Sequence, residues 1–146
     1  MSSGYKGYLE EGHEVHVSLD TAILLKQAGF DWECRKIYYC YHEDGDKWEL
    51  EDNYKNHKHI LKLDHCLLTP TLDVAQRWLR EVKNCYTGID VFVRNLDKNN
   101  TYYNRWFVYF NGARYSGSNY DDTQYYEYAQ EAGIKKALEI ILEKGE

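Results

Sequence analysis

The dipeptide Asn111-Gly112, which follows a run rich in aromatic residues and precedes a short strand-like segment, constrains the fold of this chain more than any other feature. Asn-Gly favours the two-residue type I′ turn of a β-hairpin, because both residues tolerate a positive φ. Such a turn pairs Phe110 with Ala113 and sets the register of both strands. Since side chains alternate across a strand, the turn also divides the neighbouring aromatic residues between two faces of a sheet.

One of these faces is predicted to be the core. It carries the side chains of Trp106, Val108, Phe110 and Tyr115. A four-residue turn at 97–100 would pair Leu96 with Thr101, and this register adds Val91 and Val93 to the same face. Amphipathic helices at 70–84 and 124–143 are expected to cover it.

The opposite face is predicted to combine arginine with aromatic rings, a mixture suited to stacking and to contact with an anion. Arginine stems also lie along rings on ordinary solvated sheets, and a helix or hairpin could cover this face, so a purely structural interpretation stays open. The candidate binding residues are Phe92, Arg94, Tyr103, Arg105, Tyr109 and Arg114, and Phe107 lies among them.

The remaining elements follow from caps and turns. Ser18 as N-cap and Gly29 beyond the end predict a helix over 19–28. The Asp44-Gly45 turn predicts a hairpin over 35–51, and 52–68 is predicted to be a loop with a short strand near 60–63. Thr69 as N-cap with Pro70 in the first helical position begins the next helix.

The final helix is expected to be capped by Asp121 or Thr123. The element order is therefore α-β-β-α-β-β-β-α. We predict a single α+β domain over 1–146, in which a hairpin and a three-stranded antiparallel meander pack with three helices.

Composition limits the function classes. The 146 residues carry a formal net charge of −6, which argues against binding duplex nucleic acid through counterion release. No long apolar run and no signal region are present, so we expect a cytoplasmic protein without membrane contact.

Metal and catalytic patterns are weak. Seven Cys and His residues fall within 34–66, but they lack the paired short spacings of structural zinc sites, and we expect no metal and no cofactor. The run from Glu43 to Asp46 fits a turn better than a calcium loop. No GxSxG, P-loop, GxGxxG or HExxH motif occurs, so no catalytic residue is predicted.

Four segments resemble a group of small proteins encoded by phages and prophages of gut bacteria. They are Ser18-Leu-Asp-Thr-Ala-Ile-Leu-Leu-Lys-Gln-Ala-Gly-Phe-Asp31, Ile37-Tyr-Tyr-Cys-Tyr-His-Glu-Asp-Gly45, Pro70-Thr71 with Gln76-Arg-Trp-Leu-Arg-Glu81, and Glu131-Ala-Gly-Ile-Lys-Lys-Ala-Leu138. The resemblance covers most of residues 15–143, and the chain departs from the group in its longer 52–68 insert and its 97–126 region. It implies a phage or mobile-element setting, with no assigned activity and no catalytic residue.

Taken together, these features predict an accessory protein of phage or prophage origin that acts by binding, with a protein as the expected partner. One alternative is a small anionic ligand, such as a nucleotide, held by the arginine and aromatic side chains. Another is a small enzyme without a recognisable motif. A homodimer that uses the exposed aromatic face is a further alternative.

Overall fold

The computed structural model describes residues 14–41, 47–53, 57–96, 99–117 and 125–144, and for residues 94–96, 99 and 100 it describes the backbone only. These residues form an α+β fold with two three-stranded antiparallel sheets, which confirms the predicted class and element order. Two short elements, a helix and a strand, stand in addition between the hairpin and the second predicted helix. The chain divides into two compact units between Ala75 and Gln76.

The first unit begins with α1 (Leu19–Gln27), whose two ends have the predicted signals. The Ser18 side chain accepts a hydrogen bond from the Thr21 N–H. At the other end, Gly29 adopts φ +95°. The Phe30 N–H donates to the Leu25 carbonyl at 2.9 Å and the Gly29 N–H to the Lys26 carbonyl at 3.1 Å, the two bonds of a Schellman motif.

The first sheet has the order β2-β1-β3. It is built from β1 (Lys36–Cys40), β2 (Trp48–Asp52) and β3 (Cys66–Leu68), with the short helix α2 (His57–Ile60) before β3. The hairpin predicted at 35–51 is confirmed, while its Asp44-Gly45 turn lies outside the described residues. The predicted strand near 60–63 is wrong. All three residues of β3 are buried, so its sequence shows no alternation that would have revealed it.

The helix α3 (Leu72–Lys83) begins later than Thr69-Pro70 predicted. Thr71 is the N-cap residue, because its Oγ1 accepts from the Val74 N–H at 3.2 Å. The Thr69 hydroxyl instead donates to the Leu67 carbonyl, and the Pro70 carbonyl accepts from the Val17 N–H. Both residues therefore belong to the strand connection that precedes the helix.

The second unit contains β4 (Tyr86–Leu96), β5 (Asn99–Phe110), β6 (Ala113–Gly117) and α4 (Tyr126–Glu143), in the sheet order β4-β5-β6. Asn111 and Gly112 adopt φ values of 53° and 80°, as a type I′ turn requires. The predicted pairing of Phe110 with Ala113 is confirmed, and the register continues to Trp106 opposite Gly117.

The predicted register between β4 and β5 is wrong by two residues. Leu96 pairs with Asn99 rather than Thr101, which leaves only residues 97 and 98 between the strands. Asn99 and Asn100 extend the strand pairing that we had assigned to a longer turn. Because the error is an even number of residues, every side chain keeps its predicted face.

The core of the second unit lies between α4 and one face of the sheet, where Val108 and Phe110 are buried. Gly133 allows a close approach, since a Cβ added there would lie 3.1 Å from Cβ of Trp106. The predicted helix caps Asp121 and Thr123 lie outside the described residues. The buried apolar side chains of α4 are those of Ala129, Ile134, Ala137, Leu138, Ile140 and Ile141.

The predicted core face is only partly buried. Val91 and Val93 are 62% and 48% exposed, so their assignment to the core is wrong. Trp106 and Tyr115 are half-buried. Trp106 and Gly117 form the last pair between β5 and β6 that the structure describes, whereas the pairing of β4 with β5 continues past Trp106. Val91 and Val93 lie in this continuation.

Two hydrogen bonds in series cross the second unit beside this core. The Gln130 amide donates to Oε1 of Gln76 at 3.0 Å, and the Gln76 amide donates to the Thr87 carbonyl at 3.0 Å. Gln130 is buried, so these bonds satisfy an amide that would otherwise be costly to bury. The two hydrogen bonds therefore connect α4, α3 and β4.

Candidate arginine–aromatic face

The second face of the β4-β5-β6 sheet carries the predicted binding residues. We call it the arginine–aromatic face and define it by the side chains of Asp90, Phe92, Tyr103, Arg105, Phe107, Tyr109 and Arg114. The pairings of Phe92 with Tyr103 and of Tyr109 with Arg114 place them on one side of the sheet. Arg105, Tyr109 and Arg114 are exposed, whereas the remaining members are half-buried.

One cluster forms around Phe92 on β4. Its ring stacks on that of Tyr103, with the centroids 5.7 Å apart and the planes at 27°. The guanidinium of Arg105 lies 5.5 Å from the Phe92 ring centroid. The two rings meet because Phe92 stands directly opposite Tyr103, a neighbour that the predicted register had placed two residues away.

A second cluster forms on β5 and β6. The guanidinium of Arg114 lies 5.2 Å from the ring of Phe107 and 5.6 Å from that of Tyr109. The two rings contact each other edge to face, with their centroids 5.3 Å apart. A cation over two rings that are themselves packed is held in a narrow range of orientations.

Gly88 on β4 makes room for this second cluster. A Cβ added to Gly88 would lie 2.3 Å from Cζ of Phe107, so the Phe107 ring lies directly over the glycine backbone. The two residues are paired across the strands. Any larger residue at position 88 would displace the ring on which Arg114 stacks.

The charges of the face are partly compensated. Arg114 donates to Oδ2 of Asp90 at 3.0 Å, reaching across β5 to form an ion pair between two half-exposed side chains. Within the described part of the chain, Arg105 has no carboxylate within ion-pair distance. The face therefore presents one compensated and one uncompensated guanidinium.

The predicted residue Arg94 and the unpredicted residue Asp90 both lie on β4. Arg94 pairs through its backbone with Thr101, but its side chain lies outside the described residues. Asp90 was missed, although strand alternation alone places it on the face of Phe92, two residues along β4. Its partner could not have been inferred, because Arg114 lies two strands away.

The described Cys and His residues of 34–66 do not form a metal-binding cluster. Cys34, Cys40, Cys66 and Cys85 are buried thiols that form no disulfide with one another, and burial raises the pKa of the Cys85 thiol to about 11 and also raises that of Cys34. Among the described residues, no group of three or more His, Cys, Asp or Glu side chains is placed to hold a metal ion. His42 and the acidic run at 43–46 lie outside them.

Comparison with protein-family models, with curated proteins and with solved structures finds no match to this chain. Among the described residues, no helix combines the length and the apolar character needed to cross a membrane.

Proposed function

We propose that this chain is a non-enzymatic binding protein of phage or prophage origin, which acts in the cytoplasm of a bacterial cell and contacts a protein partner through the arginine–aromatic face. The observation that carries the proposal is that Arg105, Tyr109 and Arg114 are exposed to solvent and yet held by stacking on neighbouring rings. Side chains that are ordered before binding lose less entropy when a partner docks.

The residue types support a protein partner. Tyrosine and arginine are enriched among the residues that contribute most to protein interfaces, because each offers a large rigid surface with polar groups at its edge. The face also differs in charge from the whole chain. Its described members carry two guanidinium groups against one carboxylate, whereas the chain carries a net charge of −6.

The same charge pattern favours a partner surface that offers carboxylates or carbonyl oxygens to Arg105, whose charge is uncompensated. A nucleotide-sized anion would need more than this. Arg114 would have to exchange Asp90 for the ligand, and the two guanidinium groups stack on different clusters rather than on one. The protein partner is therefore the function that the geometry favours.

Site-specific photo-crosslinking in bacterial cells tests this proposal. A benzoylphenylalanine residue at position 109 should give one dominant protein adduct, whereas the same residue at 126 should not. Tyr126 is a matched control, since it is 51% exposed against 46% for Tyr109 and lies in the same unit, on α4. The adduct at 109 should disappear in the Arg105→Ala variant.

Equal adduct patterns from positions 109 and 126 would refute a specific docking face. A thermal-shift panel of nucleotides addresses the alternative ligand directly. If nucleotides stabilise the protein and Arg105→Ala removes that effect while no protein adduct forms, the face binds a small anion instead. If the dominant adduct is a second copy of the chain, the arginine–aromatic face is the interface of a homodimer.

A further inference from the structure

The first compact unit contains a cavity of about 240 Å³ next to the end of α1. Most of its wall is apolar and comes from Phe30, Ile60, Leu61, Cys66 and Leu68. An apolar cavity of about 150 Å³ admits benzene, whereas sites for drug-sized ligands begin near about 300 Å³. The cavity therefore suits a molecule with one ring or one branched aliphatic chain.

Two residues of opposite charge, Lys26 and Asp31, are among those that line the same cavity. The Lys26 ammonium donates to the carbonyls of Leu63 at 2.6 Å and Cys66 at 3.3 Å, which holds it beside the segment between α2 and β3. An ammonium has three N–H donors, so one remains for a ligand.

Neither Lys26 nor Asp31 forms an ion pair with another described side chain. Within residues 14–41, 47–53, 57–96, 99–117 and 125–144, no carboxylate lies within ion-pair distance of Lys26 and no cation within that distance of Asp31. Lys26 and Asp31 do not pair with each other either, although both line one cavity. A ligand can therefore meet a cation and an anion at separate points of the wall.

We propose that this cavity binds a small zwitterion with an apolar body, of the class of leucine or phenylalanine. The ligand carboxylate accepts from the Lys26 ammonium, the ligand ammonium pairs with Asp31, and the apolar side chain packs among Phe30, Ile60 and Leu68. A simple carboxylate would gain the contact with Lys26 but would be repelled by Asp31. A simple amine would gain the contact with Asp31 but would be repelled by Lys26. The proposal is independent of the arginine–aromatic face.

Three ligands that differ by a single charged group test the proposal on the full chain. They are L-phenylalanine, 3-phenylpropanoate, which lacks the ammonium, and phenethylamine, which lacks the carboxylate. Amide chemical shifts of Gly29, Phe30 and Leu61 should move on titration with phenylalanine, with a Kd on the order of 1 mM for a ligand of this size. Each of the other two compounds should bind about fivefold more weakly, since it lacks one part-exposed ion pair.

Two variants assign the charges. Asp31→Asn should weaken phenylalanine about fivefold and strengthen 3-phenylpropanoate, because the repulsion is removed. Lys26→Met should weaken phenylalanine and 3-phenylpropanoate but strengthen phenethylamine, because the repulsion between the two ammonium groups is removed. Lys144→Met, at an exposed lysine of the second unit, is the matched control and should change none of the three.

The proposal is overturned if phenylalanine and leucine leave these amides unmoved at concentrations well above about 1 mM, or if the three compounds bind equally. Lys26→Met also frees two carbonyls and could disturb the fold. Asp31→Asn then decides, since Asp31 makes no hydrogen bond with another described residue. An Asp31→Asn protein that binds all three compounds as the parent does would also overturn it.

Discussion

The replacement of Gly88 by alanine tests the packing that positions Arg114. The new Cβ would lie 2.3 Å from Cζ of Phe107 and below 3.0 Å from two further ring atoms, so the ring has to turn away from β4. Turning it forfeits the stacking with Arg114, worth about 0.5–1 kcal/mol, and the edge-to-face contact with Tyr109, worth about 0.5–1.5 kcal/mol. Alanine in place of glycine within a strand returns about 0.5–1 kcal/mol.

The expected result is a loss of about 1 kcal/mol in the free energy of unfolding. Urea unfolding followed through NMR intensities of β4 and β5 amides measures it in the unit concerned. The Hδ protons of Arg114 provide a second reading, since they should lose the ring-current shift that stacking imposes.

A double-mutant cycle isolates the contact. In a Phe107→Ala background the obstacle is absent, so Gly88→Ala should stabilise the protein by about 0.5–1 kcal/mol instead of destabilising it. The reasoning is refuted if Gly88→Ala has the same effect in both backgrounds, or if it leaves the Arg114 Hδ shifts unchanged.

Three further predictions concern other contacts. Asp90→Asn should lower the free energy of unfolding by less than about 1 kcal/mol, because its ion pair is half-exposed, and should raise the affinity of the face for anions by freeing Arg114; urea unfolding and anion titration check this. Gly133→Leu should lower the free energy of unfolding by about 1–3 kcal/mol, since its longer side chain has to enter the packed space beside Trp106, whereas Gly133→Ala adds only a Cβ at 3.1 Å from Cβ of Trp106 and should cost much less; equal losses for the two variants in calorimetry would contradict this. Burial and then the charge of Lys36 lower the pKa of His16, so the unfolded state binds the proton more tightly than the folded state. The free energy of unfolding of the first unit should therefore be highest above about pH 6.5 and should fall as the pH drops below that value. Urea unfolding at a series of pH values measures this dependence, which His16→Gln should abolish.

The sequence by itself determined the features that depend on neighbours along the chain. Ser18, Gly29 and the Asn111-Gly112 turn act within a few residues, and the structure has each of them as predicted. Strand alternation then assigned the side chains of β4, β5 and β6 to their faces, and this assignment survived a register error because the error was an even number of residues.

Long-range packing decided the rest. Thr71 rather than Thr69 caps α3, because the carbonyl of Pro70 is engaged by Val17, far away in the sequence. The strand β3 exists because its buried residues pair with β1, which no local periodicity could indicate.

The candidate site shows the same division. Alternation placed Arg105, Tyr109 and Arg114 on one face, but only the tertiary structure decided which ring each guanidinium covers and that Asp90 neutralises Arg114. Those contacts join residues on different strands, and their geometry depends on register and on the space over Gly88. Sequence patterns report which side of a strand a residue occupies, whereas the partners that it meets there depend on the pairing of the whole sheet.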